Sequence, residues 1–227
     1  DRLLDEAEAA DDPEEALVSL TVCDPACGSG HFLVAAARRI AHRLARIRAG
    51  DSEPTVMETQ TAIRDVIGHC VYGIDLNPMA VELCKVSLWL EAVEADKPLG
   101  FLDHHIVHGN GLLGATPRLL EGGVPDAAFT AIEGDDKATV TARRKTNAHQ
   151  RDRRGQQILS LALDPGALAT PVAAEMAVIE ALPDDTTQAV AEKARRFVCL
   201  DRAATTERAR LAADAWCAAF VAVKTAD

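Results

Sequence analysis

Hydrophobic and polar positions follow two rhythms along this chain. Three short apolar or β-branched runs, LVSLTVCD (17–24), CVYGIDL (70–76) and HHIVHG (104–109), read as buried strands. Longer segments between them carry apolar residues three and four apart. Leu33, Ala36, Ile40, Leu44 and Ile47 form one such stripe, closed by Gly50, with Arg39, Arg43 and Arg46 on a face expected to meet solvent. A further helix is expected over about 54–67, from Pro54 at its first position to Gly68 as its stop. Asn77 and Pro78 then supply an N-cap and a first helical position for AVELCKVSLWLEAVEA. The residues before about position 16 read as one acidic amphipathic helix.

Strands alternating with helices imply an α/β fold with a parallel sheet and right-handed crossovers. After about residue 116 the strand-like runs stop. Helices are expected near 135–163, 171–181, 185–199 and 204–223, punctuated by Pro165-Gly166 and Pro183-Asp184. The expected organisation is a sheet-bearing portion over 1–120 and a helical insertion or subdomain over 121–227.

Composition narrows the class. With 48% hydrophobic residues, the chain of 227 residues is globular. No run approaches the roughly 20 apolar residues of a membrane span. The acidic start, DRLLDEAEAADDPEE, is unlike a leader. A cytoplasmic protein with no membrane partner is expected. Six cysteines without a Cys-x-x-Cys pair read as reduced thiols.

The net charge of −11 is unevenly spread. Residues 1–20 hold eight acids and one base, whereas 31–49 hold five arginines and no acid. Residues 143–154 carry Arg143, Arg144, Lys145, Arg151, Arg153 and Arg154 against a single acid. Such a run either forms a solvated face or meets phosphates.

The densest chemistry lies in Asp24-Pro25-Ala26-Cys27-Gly28-Ser29-Gly30, between a strand and a helix. Glycines there let a ligand approach the backbone, and a helix N-terminus favours an anionic group. The loop is no dinucleotide fingerprint, because a third glycine is missing and the next strand-end acid, Asp75, lies 45 residues beyond Gly30. It is no P-loop either, since Gly-Lys-Ser/Thr is absent. Asp75 ends the second strand, where a carboxylate can accept both hydroxyls of a ribose. Asn110, past the third strand, offers an amide suited to an adenine edge.

His104, His105 and His108 do not form a metal site on a strand. His104 and His108 share a face but stand about 13 Å apart at ~3.3 Å per residue, whereas zinc takes its nitrogens at about 2 Å. Packed histidines are expected instead, and no metal. Trp89 and Trp216 are expected in helix packing.

Together, DPACGSGHFLVAAARRI, GIDLNPMAVELCKVSLWLEA and FLDHHIVHGNGLLG resemble the cofactor-binding half of adenine-specific DNA methyltransferases. The likeness is to the large methylases of bacterial restriction–modification and phage-exclusion systems, and it runs over about residues 17–118. It implies a partial Rossmann-like methyltransferase sheet followed by a helical insertion. It also implies S-adenosyl-L-methionine as cofactor and double-stranded DNA as the partner of the full-length enzyme, with other defence-system subunits as further partners. By resemblance, Asp24, Pro25, Ala26, Cys27, Gly28, Ser29 and Gly30 hold the methionine moiety, with Asp24 near its amino group. Asp75 binds the ribose hydroxyls, Leu76 lies against the adenine face, and Asn110 sits near the adenine amine, where many relatives carry Asp.

One departure stands out. The family's Asn/Asp-Pro-Pro-aromatic motif, which holds the flipped target base, does not occur in this sequence. Asn77-Pro78 continues with Met79, and Asp164-Pro165-Gly166 lacks both the second proline and the aromatic. No catalytic residue is therefore assigned, and the chain is expected to be an excerpt of a longer enzyme, inactive alone. Two other readings stay open: an RNA or protein-glutamine methyltransferase, and a non-catalytic module whose helical half docks a partner protein.

Overall fold

The computed structural model describes residues 2–50, 53–156 and 165–225, the side chains of 150–156 and 165–170 excepted. It is a mixed α/β protein with a small parallel sheet. Strands β1 (Val22–Asp24), β2 (Val71–Asp75) and β3 (Ile106–His108) lie side by side in that order. Val22 stands opposite Val71 and Asp24 opposite Gly73, while Gly73 also faces Ile106 and Asp75 faces His108. All three strands therefore end at one edge of the sheet.

The N-terminal segment forms two helices rather than one. Helix α1 is Arg2–Glu8 and α2 is Pro13–Val18. The break falls at Asp12-Pro13. Proline disfavours helical backbone in the residue before it, so Asp12 stays extended (φ −123°) and caps α2, accepting from the Glu15 amide at 3.0 Å. The cap also corrects the first strand. Leu17 and Val18 belong to α2, with Leu17 fully buried, and β1 begins only at Val22.

Helix α3 (His31–Ala49) buries Leu33, Ala37, Ile40, Ala41 and Leu44, a stripe at three- and four-residue spacing that packs on β1 and β2. Helix α4 (Val56–His69) starts later than Pro54 suggests, because Thr55 and Glu58 form a reciprocal capping box. Gly68 lies within that helix, which ends at buried Cys70. Helix α5 (Pro78–Glu91) starts as expected, with the Asn77 side chain accepting from the Met79 amide at 3.0 Å. Together these helices cover a core running from Leu17 to Ile106.

The chain divides into two compact units, one of residues 1–112 and 181–197, the other of 113–180 and 198–227. Within the second, the described residues form helices only: α6 (Pro117–Glu121), a 3-10 turn (Asp126–Phe129), α7 (Lys137–Gln156), α8 (Pro165–Glu180) and α10 (Ala204–Val221). Helix α9 (Thr187–Asp201) contributes its residues up to Phe197 to the first unit. Pro165 opens α8 rather than merely separating helices, and Pro171 lies inside it. Among the described residues no helix is long and apolar enough to cross a membrane.

Candidate cofactor site

The loop after β1 is shaped by its own hydrogen bonds. The Asp24 carboxylate accepts from the Ala26 amide at 3.0 Å, and the Cys27 amide donates to the Ile74 carbonyl at 3.0 Å. The Gly30 amide donates to the Cys27 carbonyl at 2.8 Å, and the Gly30 carbonyl then accepts the Val34 amide of α3. Gly28 and Gly30 have φ of +54° and +85°, a region that side chains disfavour. A Cβ on Gly30 would also lie 2.8 Å from the Cys84 sulfur, so Gly30 lets α5 approach the loop. A Cβ on Gly28 would meet nothing within 4 Å. The space in front of Gly28 is open.

Asp75 joins this loop to the next. Its Oδ2 accepts the Gly28 amide at 2.9 Å and its Oδ1 the Asn77 amide at 2.8 Å. These two amides, with a smaller contribution from His108, hold the carboxyl below the ordinary range of an aspartate. It is therefore an anion at neutral pH, and each oxygen keeps acceptor capacity beyond the amide it holds. Leu76 beside it is 66% exposed, with its carbonyl 3.0 Å from His108 Nε2.

The third strand end closes against the other two. The Gly109 amide donates to the Asp75 carbonyl at 3.0 Å. The exposed Asn110 accepts the Leu112 amide at 2.9 Å, an Asx turn that fixes its side chain at the strand end. Gly111 lies against the first loop, where a Cβ would come within 2.5 Å of the Pro25 carbonyl oxygen. Asp24 through Gly30, Asp75, Leu76 and Asn110 are thus gathered at the carboxyl ends of three adjacent parallel strands. Sequence reasoning grouped His108 with the packed histidines, whereas it stands exposed at this strand end, and it passed over Gly111; the second glycine of Gly109-Asn110-Gly111 was the available signal for a close backbone approach.

Cys27, Cys70, Cys84, His104 and His105 of this unit are packing groups. Burial pushes the Cys84 and Cys70 thiols up to about 12 and raises Cys27 as well, which leaves little thiolate at neutral pH. His104 stacks on Phe101 (centroids 5.2 Å apart, planes 10° apart), and His105 packs on Tyr72 at 4.2 Å. Burial lowers the two imidazoles to about 3 and about 4. His108 lies apart from them, exposed at the strand end. Trp89 donates its indole N–H to the Gly100 carbonyl at 2.8 Å and Trp216 to that of Gly123 at 3.0 Å.

The arginines of α3 do not face solvent alone, as their spacing suggested. Arg43 grips Asp5 at 3.1 Å and also Glu8, while Arg48 bridges Glu14 at 2.9 Å and Asp65 at 2.6 Å. Arg38 holds Glu91 through two guanidinium nitrogens. The acidic N-terminal helices are thereby tied to α3. In the second unit Arg143, Arg144 and Lys145 are exposed on α7, and the side chains of Arg151, Arg153 and Arg154 lie outside the described residues.

Residues 3–105 match the family model described as MmeI, DNA-methyltransferase domain. The match takes in β1, the Asp24–Gly30 loop, β2 and Asp75, and stops one residue short of β3. The chain is 30% identical over 107 residues to a putative type II restriction enzyme and methyltransferase of Methanocaldococcus jannaschii, a stretch covering 43% of this chain and 9% of the relative. It is 33% identical over 76 residues to the adenine-specific methyltransferase PglX of Streptomyces coelicolor, covering 34% of this chain and 6% of that protein. The matched stretches thus make up less than a tenth of these curated relatives. No solved structure matches. Over residues 3–105 the chain is thus similar to a DNA-methyltransferase domain.

Proposed function

We propose that the three strand-end loops of the first unit bind S-adenosyl-L-methionine, and that the chain is the Rossmann-like cofactor-binding portion of a DNA adenine methyltransferase. The observation that carries this reading is the joint between Gly28 and Asp75, which fuses the two most specific motifs of the matched region into one surface.

The residues suit that ligand. The open space before Gly28 admits a ligand backbone, and its positive φ disfavours a side chain that would fill it. Asp75, ionised and with acceptor capacity to spare, suits a vicinal diol such as the ribose 2′- and 3′-hydroxyls. Leu76 offers an exposed apolar face for a purine, and Asn110 an amide for its exocyclic amine. Asp24, at the head of the loop, offers a carboxylate for an α-amino group.

When bound, the cofactor supplies a methyl group on a sulfonium, already a good leaving group. The role of this chain is then to orient that group. The rate of transfer to the exocyclic amine of an adenine, flipped from the duplex, rests on such positioning and on electrostatics. None of the described residues is assigned to the transfer step itself.

The test is calorimetric titration of the cofactor into the folded chain, wild type and Asp75→Ala. Saturable one-to-one binding, weakened at least tenfold by Asp75→Ala, is the expected result. A folded wild-type chain that shows no saturable binding heat, or an Asp75→Ala variant that binds as well as wild type, refutes the reading.

A further inference from the structure

The two basic segments of this chain have different fates. In the first, on α3, Arg38, Arg43 and Arg48 are each matched to carboxylates of the same unit. In the second, α7, the described cations Lys137, Arg144 and Lys145 are not. That helix of 20 residues carries seven bases and one acid, in a chain whose net charge is −11. Lys137, Arg144 and Lys145 are exposed, and among the described residues none of them has an acidic partner.

Helix α7 does not need these bases to hold its place. Asp136 caps it by accepting from the amide of Thr139 at 2.9 Å and from its hydroxyl. Val140 is buried, and Asn147 donates to the Val124 carbonyl at 2.9 Å. Arg143 reaches the Thr225 carbonyl at 3.2 Å. Lys137, Arg144 and Lys145 thus leave a local excess of positive charge on the surface of an acidic chain. A patch of this kind attracts a polyanion.

We propose that α7 is a phosphate-contacting surface for duplex DNA, with Lys137, Arg144 and Lys145 meeting the sugar–phosphate backbone without reading sequence. The choice of DNA as the polyanion rests on the methyltransferase reading above; the cationic surface itself does not. Lysine and arginine contacts of this kind release counterions, so the affinity should fall steeply with salt, by a slope of about 0.9 per phosphate neutralised.

The experiment follows anisotropy of a labelled duplex of about 20 base pairs, titrated with the chain at salt from about 50 to 300 mM. Three proteins are compared: wild type, Lys137→Gln/Arg144→Gln/Lys145→Gln, and a control, Arg46→Gln/Arg118→Gln/Arg208→Gln, which removes the same charge at exposed positions elsewhere. Glutamine keeps helix propensity, and circular dichroism confirms the fold of each. The α7 variant should bind at least tenfold more weakly, with a salt slope reduced by about 2 to 3, while the control stays near wild type. Equal loss in both variants, no change in the α7 variant, no wild-type binding at the lowest salt, or preference for an RNA hairpin of equal length would each overturn the proposal. Cofactor titration of the same proteins separates the two readings. A chain that binds DNA as described but no cofactor sinks the proposed function and leaves α7 as a DNA surface.

Discussion

The Gly28 amide points at the Asp75 carboxylate and donates to it at 2.9 Å across 47 residues of chain. This bond makes the conformation of the glycine loop depend on an acid at the end of the neighbouring strand. The same carboxylate caps the start of the turn into α5 through the Asn77 amide. A change at Asp75 therefore reaches the loop and the helix start together, before any ligand is considered.

The charge of Asp75 should show in the acid limb of stability. Its carboxyl titrates lower in the folded chain than in the unfolded one, where an aspartate has a pKa of about 3.9. The stabilisation is thus fully present above about pH 4 and is lost as pH falls through the folded value. In Asp75→Asn that part of the pH dependence should disappear, leaving a flatter curve below pH 4. Urea melts at a series of acid pH values test this; an unchanged acid limb in Asp75→Asn would refute it.

Gly28 and Gly30, two residues apart in the sequence, should respond differently to alanine. At Gly28 the penalty is conformational only, because φ is +54° and the space is open. Gly28→Ala should cost about 1 kcal/mol and, on the proposed function, weaken cofactor binding more than it weakens the fold. At Gly30 the left-handed backbone and the collision with Cys84 act together. Gly30→Ala should cost about 2 to 4 kcal/mol. Chemical denaturation ranks the two, and equal losses would mean that α5 moves aside without penalty.

Where the chemistry is local, the sequence was readable. The start of α5 follows from Asn77-Pro78, and the span of α3 from its apolar stripe and Gly50. Parallel strands with their loops at one edge follow from the alternation of strand and helix. The failures have equally physical causes. Asp12-Pro13 is a stronger start signal than the continuity of the acidic segment, so one expected helix became two and took Leu17 from the strand. Thr55 and Glu58 outweighed Pro54 in fixing α4. The pairing of Arg43 with Asp5 and Glu8 joins residues more than 30 positions apart, and no local pattern encodes it. For the loops, resemblance to a family supplied roles that spacing alone did not.

Arg43 links two carboxylates of α1 to α3, so its loss should be felt first at the N-terminus. In Arg43→Gln, Asp5 and Glu8 keep their charges without the guanidinium between them. The partners are partly exposed, so the expected global loss is small, about 0.5 to 1 kcal/mol, and larger at low salt. Hydrogen exchange should show α1 opening faster while β2 and α3 stay protected. Acceleration spread evenly over the first unit would mean that the cluster supports the whole core instead.

His104 and His105 should dominate the pH dependence between neutrality and the acid limb. Burial lowers both imidazoles, to about 3 and about 4, whereas an unfolded histidine titrates near 6.5. As pH drops below about 6.5 the unfolded chain takes up protons that the folded chain refuses. Stability should therefore fall with pH by about 1.4 kcal/mol per unit for each histidine, until the folded values are reached. Both ring nitrogens of His104 are buried without a hydrogen-bond partner, while its ring stacks on Phe101. Phenylalanine keeps the stack and removes the unsatisfied atoms. His104→Phe should accordingly raise stability at neutral pH by about 1 to 2 kcal/mol and halve the slope between pH 6 and 4. Thermal or urea melts across that range measure both effects. A destabilised His104→Phe with the slope intact would show that the imidazole makes a polar contact the fold depends on.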